Sequence, residues 1–179
     1  MQLAAEVISF WFDELEPKQH FKKDPDLDAE ISHRFLNLHQ RAAAGELQAW
    51  RGTATGRLAE IIVLDQFSRN IFRNDARAWA QDERALVLAA EMVELKLDQT
   101  LETPCRVFAY LPYMHSEDLA AQVESVRLFT DLGLESNLKF ARLHHDVIAR
   151  FGRFPYRNDL LGRRSSPDEI DYVEKHGSF

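Results

Sequence analysis

The chain has 179 residues, which is enough for one domain with a substantial core and too few for two comfortable ones. Apolar residues make up 45% and charged residues 28%, an ordinary globular composition that excludes extensive disorder. The net charge of −7 argues against nucleic-acid binding, because a surface that contacts phosphates is usually basic. The single cysteine excludes an internal disulfide framework and a cysteine-rich zinc site.

The chain lacks the patterns that direct a protein to a membrane or out of the cell. No apolar run approaches the ~20 residues that a helix needs to cross a bilayer. Residues 1–13 contain no basic residue, so they do not resemble a secretory signal. We therefore expect a cytoplasmic protein that does not enter the membrane.

The first predicted helices follow the apolar spacing, which is helical throughout the chain. Residues 27–42 form one such segment, and Gly45 supplies the left-handed residue that commonly ends a helix. Residues 58–71 and 75–97 form the next two, the second with Asp75 as its N-cap and its apolar stripe on Trp79, Leu86, Ala90, Val93 and Leu97. Only three residues join these helices, so they should pack as an antiparallel hairpin.

The second half predicts another hairpin, from residues 116–132 and 136–151. Pro112 is expected to end the preceding helix, and Ser116 to cap the next one. Ser166, Pro167 and Glu169 fit a capping box at the start of a last helix. The predicted fold is all-α, a single domain over residues 1–179, with stacked antiparallel hairpins in a tetratricopeptide-like superhelical array. A plain helical bundle is the alternative.

Two charged residues interrupt the apolar helix at 58–71. Asp65 and Arg69 lie four residues apart on one face, where their side chains can meet. Burying either charge alone is costly, so each needs a partner. They form either an internal ion pair or part of a functional site.

Histidines mark two further segments. His144 and His145 lie in the apolar helix at 136–151, where one or both are expected to be hydrogen-bonded core residues. Residues 116–118 are explained by a helix start, since carboxylates favour the first turn. His115 has no such structural explanation.

The segment from Arg150 to Arg164 is basic on an otherwise acidic chain, with five arginines and one aspartate. Gly152 is the natural end of the helix, and Arg150 and Arg153 suit a helix C-terminus. Arg157, Arg163 and Arg164 lie beyond that end. Arginine is suited to bidentate capture of carboxylate or phosphate, so this segment predicts an anion-binding surface.

Four motifs carry a resemblance to a known family. They read FWF at 10–12, DQFSRNIFR at 65–73, YLPYMHSED at 110–118, and RFGRFPYRN at 150–158 followed by LGR at 161–163. In this order, across essentially the whole chain, they resemble the bacterial domain-of-unknown-function family 924. The resemblance implies a tetratricopeptide-like helical fold and no biochemical function. Ser68 stands where relatives usually have proline and Tyr156 where they usually have histidine; if that histidine is catalytic, Tyr156 argues against catalysis here.

The favoured functional hypothesis is a binding module. Stacked helix pairs form a concave groove, and an arginine-rich end would suit a small anionic ligand or an acidic peptide. The ligand-binding candidates are the polar residues that local structure does not require, together with their neighbours: Asp65, Arg69, Asn70, His115, Glu117, His145, Arg153, Arg157, Asn158 and Arg163. Seven of these residues are expected to border one concave surface: Asp65, Arg69, His115, Glu117, Arg153, Arg157 and Asn158.

Two hydrolase hypotheses are the alternatives, each acting on a phosphorylated or acidic metabolite. In a metal-dependent enzyme of the HD type, His145-Asp146 and His115 would bind the metal, with Asp168 or Asp171 supplying a further carboxylate. In a metal-free enzyme, His115 and Glu117 would act as acid and base with a buried carboxylate, and Arg157 would hold the substrate. Cys105 is a weaker candidate nucleophile at a helix start, where a thiol pKa can fall. The sequence assigns no catalytic residue, no metal ligand and no cofactor.

Overall fold

A computed structural model describes residues 2–177, and all the regular secondary structure in that range is helical. Helix accounts for 75% of these residues, which confirms the all-α prediction. The α-helices are α1 Gln2–Ser9, α2 Pro25–Ala43, α3 Ala54–Ile62, α4 Ser68–Ile71, α5 Asp82–Glu94, α6 Thr103–His115, α7 Leu119–Leu132, α8 Glu135–Phe151 and α9 Pro167–His176. Two π-helices (Phe10–Glu14 and Val63–Phe67) and four 3₁₀-helices (Gln48–Gly52, Ala76–Trp79, Asp98–Thr100 and Pro155–Arg157) complete the list. Over the described range, no helix is both long enough and apolar enough to span a membrane.

The chain is organised in two compact units. Unit 1 contains the described residues up to Arg73 and the segment Arg77–Pro112. Unit 2 contains Asn74–Ala76 and the described residues from Tyr113 onward, so the boundary lies within α6. A single domain over residues 1–179 stays a prediction.

The centre of unit 1 is the segment formed by α3, the second π-helix and α4. Every residue from Gly56 to Ser68 is buried, as the apolar sequence of this segment predicts. The predicted single helix at 58–71 is therefore in place, but it contains one wide π-turn. That turn carries Phe67, whose ring lies 6.0 Å from Phe10 and 5.6 Å from Trp11 of the first π-helix, centroid to centroid. The two π-helices thus meet in one aromatic core.

The helix predicted at 75–97 begins later than expected. Its first turn is the 3₁₀-helix Ala76–Trp79, and α5 begins only at Asp82. A 3₁₀-turn advances three residues per turn rather than 3.6, so a stripe extrapolated from Trp79 is out of phase in α5. The buried face consists of Ala85, Leu88, Ala89 and Met92, whereas the predicted Leu86, Ala90 and Val93 are only half-buried. The predicted pairing is nonetheless confirmed, because α3 packs against α5.

The connection between α6 and α7 also differs from the prediction. Helix α6 continues through Pro112 to His115, although a proline at this position cannot donate the hydrogen bond of a helical amide. The cap of α7 is Asp118, whose carboxylate accepts a hydrogen bond of 2.9 Å from the Ala121 amide. Ser116 instead accepts a 3.1 Å hydrogen bond from the Asp118 amide. Glu117 therefore lies in a short connection, where its side chain is available for distant partners.

Unit 2 is built on the predicted hairpin of α7 and α8, which pack against each other. Gly133 ends α7 at φ +76° and Gly152 ends α8 at φ +69°, a left-handed conformation that favours glycine. Beyond the hairpin, Phe154 packs fully buried against Val147 and Ile148. The predicted capping box at Ser166 is confirmed at the start of α9. These helix pairs are consistent with stacked hairpins, and the superhelical array stays a prediction.

A glycine substitution tests how closely α3 approaches the 3₁₀-helix before it. A Cβ on Gly56 would collide with the Trp50 carbonyl oxygen and lie 2.9 Å from Thr53 Oγ1. We expect Gly56→Ala to lower the free energy of unfolding by about 1–3 kcal/mol through overpacking. Gly52→Ala is the control, because nothing lies within 4 Å of its Cβ position. Equal stabilities of the two variants in urea unfolding would contradict this packing.

Candidate functional site

Asp65 and Arg69 form the internal ion pair that their spacing predicts. Asp65 is completely buried, and Arg69 Nη1 lies 3.1 Å from its Oδ1. Arg69 also donates to both carboxylate oxygens of Asp82, at 2.9 and 3.1 Å. Gln66 Nε2 donates a further hydrogen bond to Asp65. In unit 1 this pair therefore serves packing, and Asp82 is the partner that sequence spacing did not reveal.

Asn70 has a similar structural role in unit 1. Its Nδ2 donates to Asp28 Oδ1 at 2.8 Å, and Arg73 donates to the same carboxylate at 2.7 Å. Asp28 lies in the first turn of α2, where a carboxylate also favours the helix dipole.

The C-terminus of α6 is closed by side chains from later in the chain. Gln122 Nε2 donates to the carbonyl oxygens of Met114 and Ser116, both at 2.7 Å. Arg157 Nη2 donates to the intervening carbonyl of His115 at 3.0 Å. Carbonyls at a helix end lack partners within the helix, and a cation there favours the helix dipole. Arg157, predicted to bind an anion, thus caps a helix.

Glu117 is the carboxylate that pairs with a second arginine, Arg163. It accepts hydrogen bonds from Arg163 Nη1 at 2.6 Å and Nη2 at 2.9 Å, and from the Phe154 amide at 2.8 Å. Burial raises the pKa of Glu117, but the bonds from Arg163 and Phe154 and the charge of Arg157 outweigh it, so the pKa lies below its usual value. Arg163 also donates from Nε to Asn158 Oδ1 at 2.9 Å.

The third arginine, Arg153, is paired with Glu169 of α9. Its Nε lies 2.6 Å from Oε1 and its Nη2 2.9 Å from Oε2. The hydrogen bond from Arg153 chiefly lowers the pKa of Glu169, to about 2, with further bonds from the Ser166 amide and Asn158. These contacts connect six residues of unit 2, hereafter the arginine network: Glu117, Arg153, Arg157, Asn158, Arg163 and Glu169.

Aromatic and histidine rings surround Arg157. Its guanidinium lies 4.5 Å above the Phe154 ring and 5.7 Å from the Tyr156 ring, within the range of cation–π contacts. The His144 ring lies 5.5 Å from Phe154 and 6.4 Å from the His115 ring. His144 is buried and its Nδ1 donates to the Phe140 carbonyl at 2.8 Å, which confirms it as a hydrogen-bonded core histidine.

Sequence reasoning found most of this cluster. The predicted residues that come together in unit 2 are His115, Glu117, Arg153, Arg157, Asn158 and Arg163. His145 is separate from them: it is half-buried on α8, and its Nδ1 lies 3.0 Å from Oδ1 of the neighbouring Asp146. Gln122 and Glu169 were missed as members. The sequence analysis did single out Glu169, but only as part of the capping box at Ser166, which left no reason to expect a second role. A surface shared with Asp65 and Arg69 stays a prediction.

The geometry gives the catalytic hypotheses little support. Between residues 2 and 177 no three His, Cys, Asp or Glu side chains are grouped so as to hold a metal ion, so the HD hypothesis gains no supporting observation. Glu117, with its lowered pKa, is a weak general base. Burial, with the charges of Glu102 and Asp13, raises the pKa of the Cys105 thiol, which corrects the expectation of an activated nucleophile there.

The buried ion pair of unit 1 leads to a stability prediction. We expect Asp65→Ala to lower the free energy of unfolding by about 3 kcal/mol, near the lower limit for breaking a buried pair, because Asp82 still partners Arg69. Asp146→Ala is the control, since the Asp146 side chain is 75% exposed, and its effect should stay within about 0.5 kcal/mol. Chemical denaturation of both variants measures the difference. An Asp65→Ala variant as stable as the control would show that the pair is unimportant.

Glu169 leads to a prediction about pH. Its pKa is about 2 in the folded chain against 4.5 as the ordinary value. A lowered carboxyl pKa stabilises the fold above the ordinary value, and that stability is lost as the pH falls from about 4.5 towards 2. Urea unfolding between pH 6 and 2.5 should therefore show a shallower acid decline for Glu169→Gln than for the wild type. Parallel curves would contradict the depressed pKa.

Comparisons with known proteins agree with the resemblance of the motifs. The model of a family described as bacterial protein of unknown function (DUF924) matches residues 7–177. The chain is also similar to a solved structure, a protein of unknown function from Agrobacterium tumefaciens, with 40% identity, a TM-score of 0.93, and coverage of 97% of this chain and 98% of that one. No curated protein matches significantly. The chain therefore belongs to the DUF924 family, whose biochemical function is unknown.

Proposed function

We propose that this protein binds a small anionic ligand at the arginine network of unit 2, beside the side chains of His115 and Tyr156. The ligand would carry a carboxylate or phosphate group. The observation that carries the proposal is the clustering of three arginines in unit 2, where Arg153 pairs with Glu169, Arg163 pairs with Glu117 and Arg157 caps the His115 carbonyl.

The charges of the network favour an anion. Arg153 is matched by Glu169 and Arg163 by Glu117 through paired hydrogen bonds. Arg157 is the third arginine, and its charge also helps to lower the pKa of Glu117. This charge is only 4% exposed, where an anion would be attracted more strongly than in open water.

The arrangement is also rigid, which lowers the cost of binding. The Arg157 guanidinium is fixed by the His115 carbonyl, the Tyr156 hydroxyl at 3.4 Å from its Nε, and the Phe154 ring. Less side-chain freedom is then lost when a ligand arrives. His115 and Tyr156 are only half-buried, so their imidazole and hydroxyl groups can reach a ligand from solvent. They would supply donors beside the arginine.

A cytoplasmic location belongs to the same proposal. It is supported by the acidic composition and by the single, half-buried cysteine, which suit a reducing compartment.

A thermal-shift screen tests the proposed function. The probes are phosphate, pyrophosphate, succinate and citrate, with a hexaglutamate peptide to represent an acidic partner segment. A ligand at a hundred times its Kd should stabilise the fold by about 2.7 kcal/mol, which corresponds to several degrees in Tm for a chain of this size. We expect at least one of the small anions to give a saturable shift.

Two variants test whether the small anion binds in unit 2. His115→Gln removes the imidazole but keeps the backbone carbonyl that binds Arg157, and Tyr156→Phe removes only a hydroxyl. Each should weaken the small-anion affinity about threefold to tenfold, the usual effect of losing one hydrogen bond. His145→Gln, a control on the same unit outside the network, should leave it unchanged. Equal affinities in all variants would place the site elsewhere, and a shift with the peptide alone would replace the small ligand by an acidic segment.

A further inference from the structure

A cavity of about 330 Å³ lies in unit 1, and none of the predicted site residues lines it. Its walls come from the turn that ends α2, the 3₁₀-helix Gln48–Gly52 and α5. It is lined by Ala44, Gly45, Gln48, Arg51, Arg84, Val87 and Leu88. The volume lies near the small end of known ligand pockets, which suits a molecule of a few carbon atoms.

The two arginines of this cavity differ in charge balance. Arg51 is neutralised by Glu60, with Nε and Nη2 at 2.8 and 2.7 Å from the two carboxylate oxygens. Arg84 donates only one hydrogen bond, from Nη1 to the Ala42 carbonyl at 3.2 Å. Within residues 2–177, no carboxylate forms an ion pair with Arg84. The cavity therefore presents one uncompensated guanidinium with donors to spare.

Gly45 leaves room for this guanidinium at the cavity. It adopts φ +79°, which a side chain would strain, and a Cβ there would lie 3.3 Å from Arg84 Nη1. Arg84 is exposed, so its guanidinium is accessible to a ligand from solvent.

We propose that this cavity binds a small organic carboxylate with a short apolar tail. The single surplus charge matches a monoanion, and the planar guanidinium matches the two oxygens of a carboxylate. The Gln48 amide offers a further donor. Val87, which is 52% exposed, and Leu88 provide an apolar wall for the tail. This site is independent of the arginine network in unit 2.

An NMR titration of the ¹⁵N-labelled full chain tests the proposal. The probe is butyrate, compared with butyramide, its neutral analogue, and with inorganic phosphate. Butyrate should shift the amide signals of Gly45 and Gln48 saturably, and more tightly than the other two. Butyramide binding equally well would show that charge plays no part, and tighter phosphate binding would show that the ligand class is wrong.

Substitutions decide whether Arg84 is the anchor. Arg84→Gln should weaken butyrate binding about tenfold or more, as expected when a charge-assisted donor is lost. Val87→Glu should weaken it too, because the new carboxylate would compete for Arg84. Arg142→Gln, at an exposed arginine of α8, is the control and should bind butyrate like the wild type. The proposal is wrong if Arg84→Gln binds as tightly as this control, or if no saturable shift appears in the wild type.

Discussion

The end of α6 imposes the constraint on which unit 2 depends. Three successive carbonyls, from Met114 to Ser116, point away from the helix and need donors from elsewhere in the chain. Gln122 and Arg157 supply them. Bringing Arg157 to this position carries the loop after α8 back to the start of α7, where Glu117 receives Arg163 and the Phe154 amide. The need of these carbonyls for donors thus brings together residues that lie about forty positions apart in the chain.

The proposed binding of an anion is compatible with the pairing inside the arginine network. A guanidinium has five donors, and its charge persists when a carbonyl or hydroxyl occupies some of them. What the pairing changes is selectivity: a ligand must approach without breaking the bonds to Glu117 and Glu169, whose loss would leave buried charges uncompensated. Small groups that add a contact beside Arg157 satisfy this condition, whereas groups that displace a carboxylate do not. Tyr156 contributes a hydroxyl that lies 3.4 Å from Arg157 Nε.

Sequence reasoning succeeded where structure follows from neighbours along the chain and failed where partners are distant. The Asp65–Arg69 pair and the Ser166 capping box are separated by four and three residues, and both are present. Asp82 lies thirteen residues from Arg69 and Arg163 forty-six from Glu117, and no spacing rule connects them. Pro112 was expected to end α6 because an interior proline is costly, but the helix continues for three residues beyond it, to His115. The candidate site was therefore identified by residue type, while the role of each residue required the fold.

The separation of contacts along the chain also sets an order for folding. Helices α7 and α8 are joined by two residues and need almost no loop closure, so the hairpin can form in the first compact states. The bond between Glu117 and Arg163 closes a loop around the whole hairpin and comes afterwards. Contacts made after the transition state act chiefly on the rate of unfolding. We therefore expect the arginine network to slow the unfolding of unit 2 and so to prolong its folded lifetime, without increasing its folding rate.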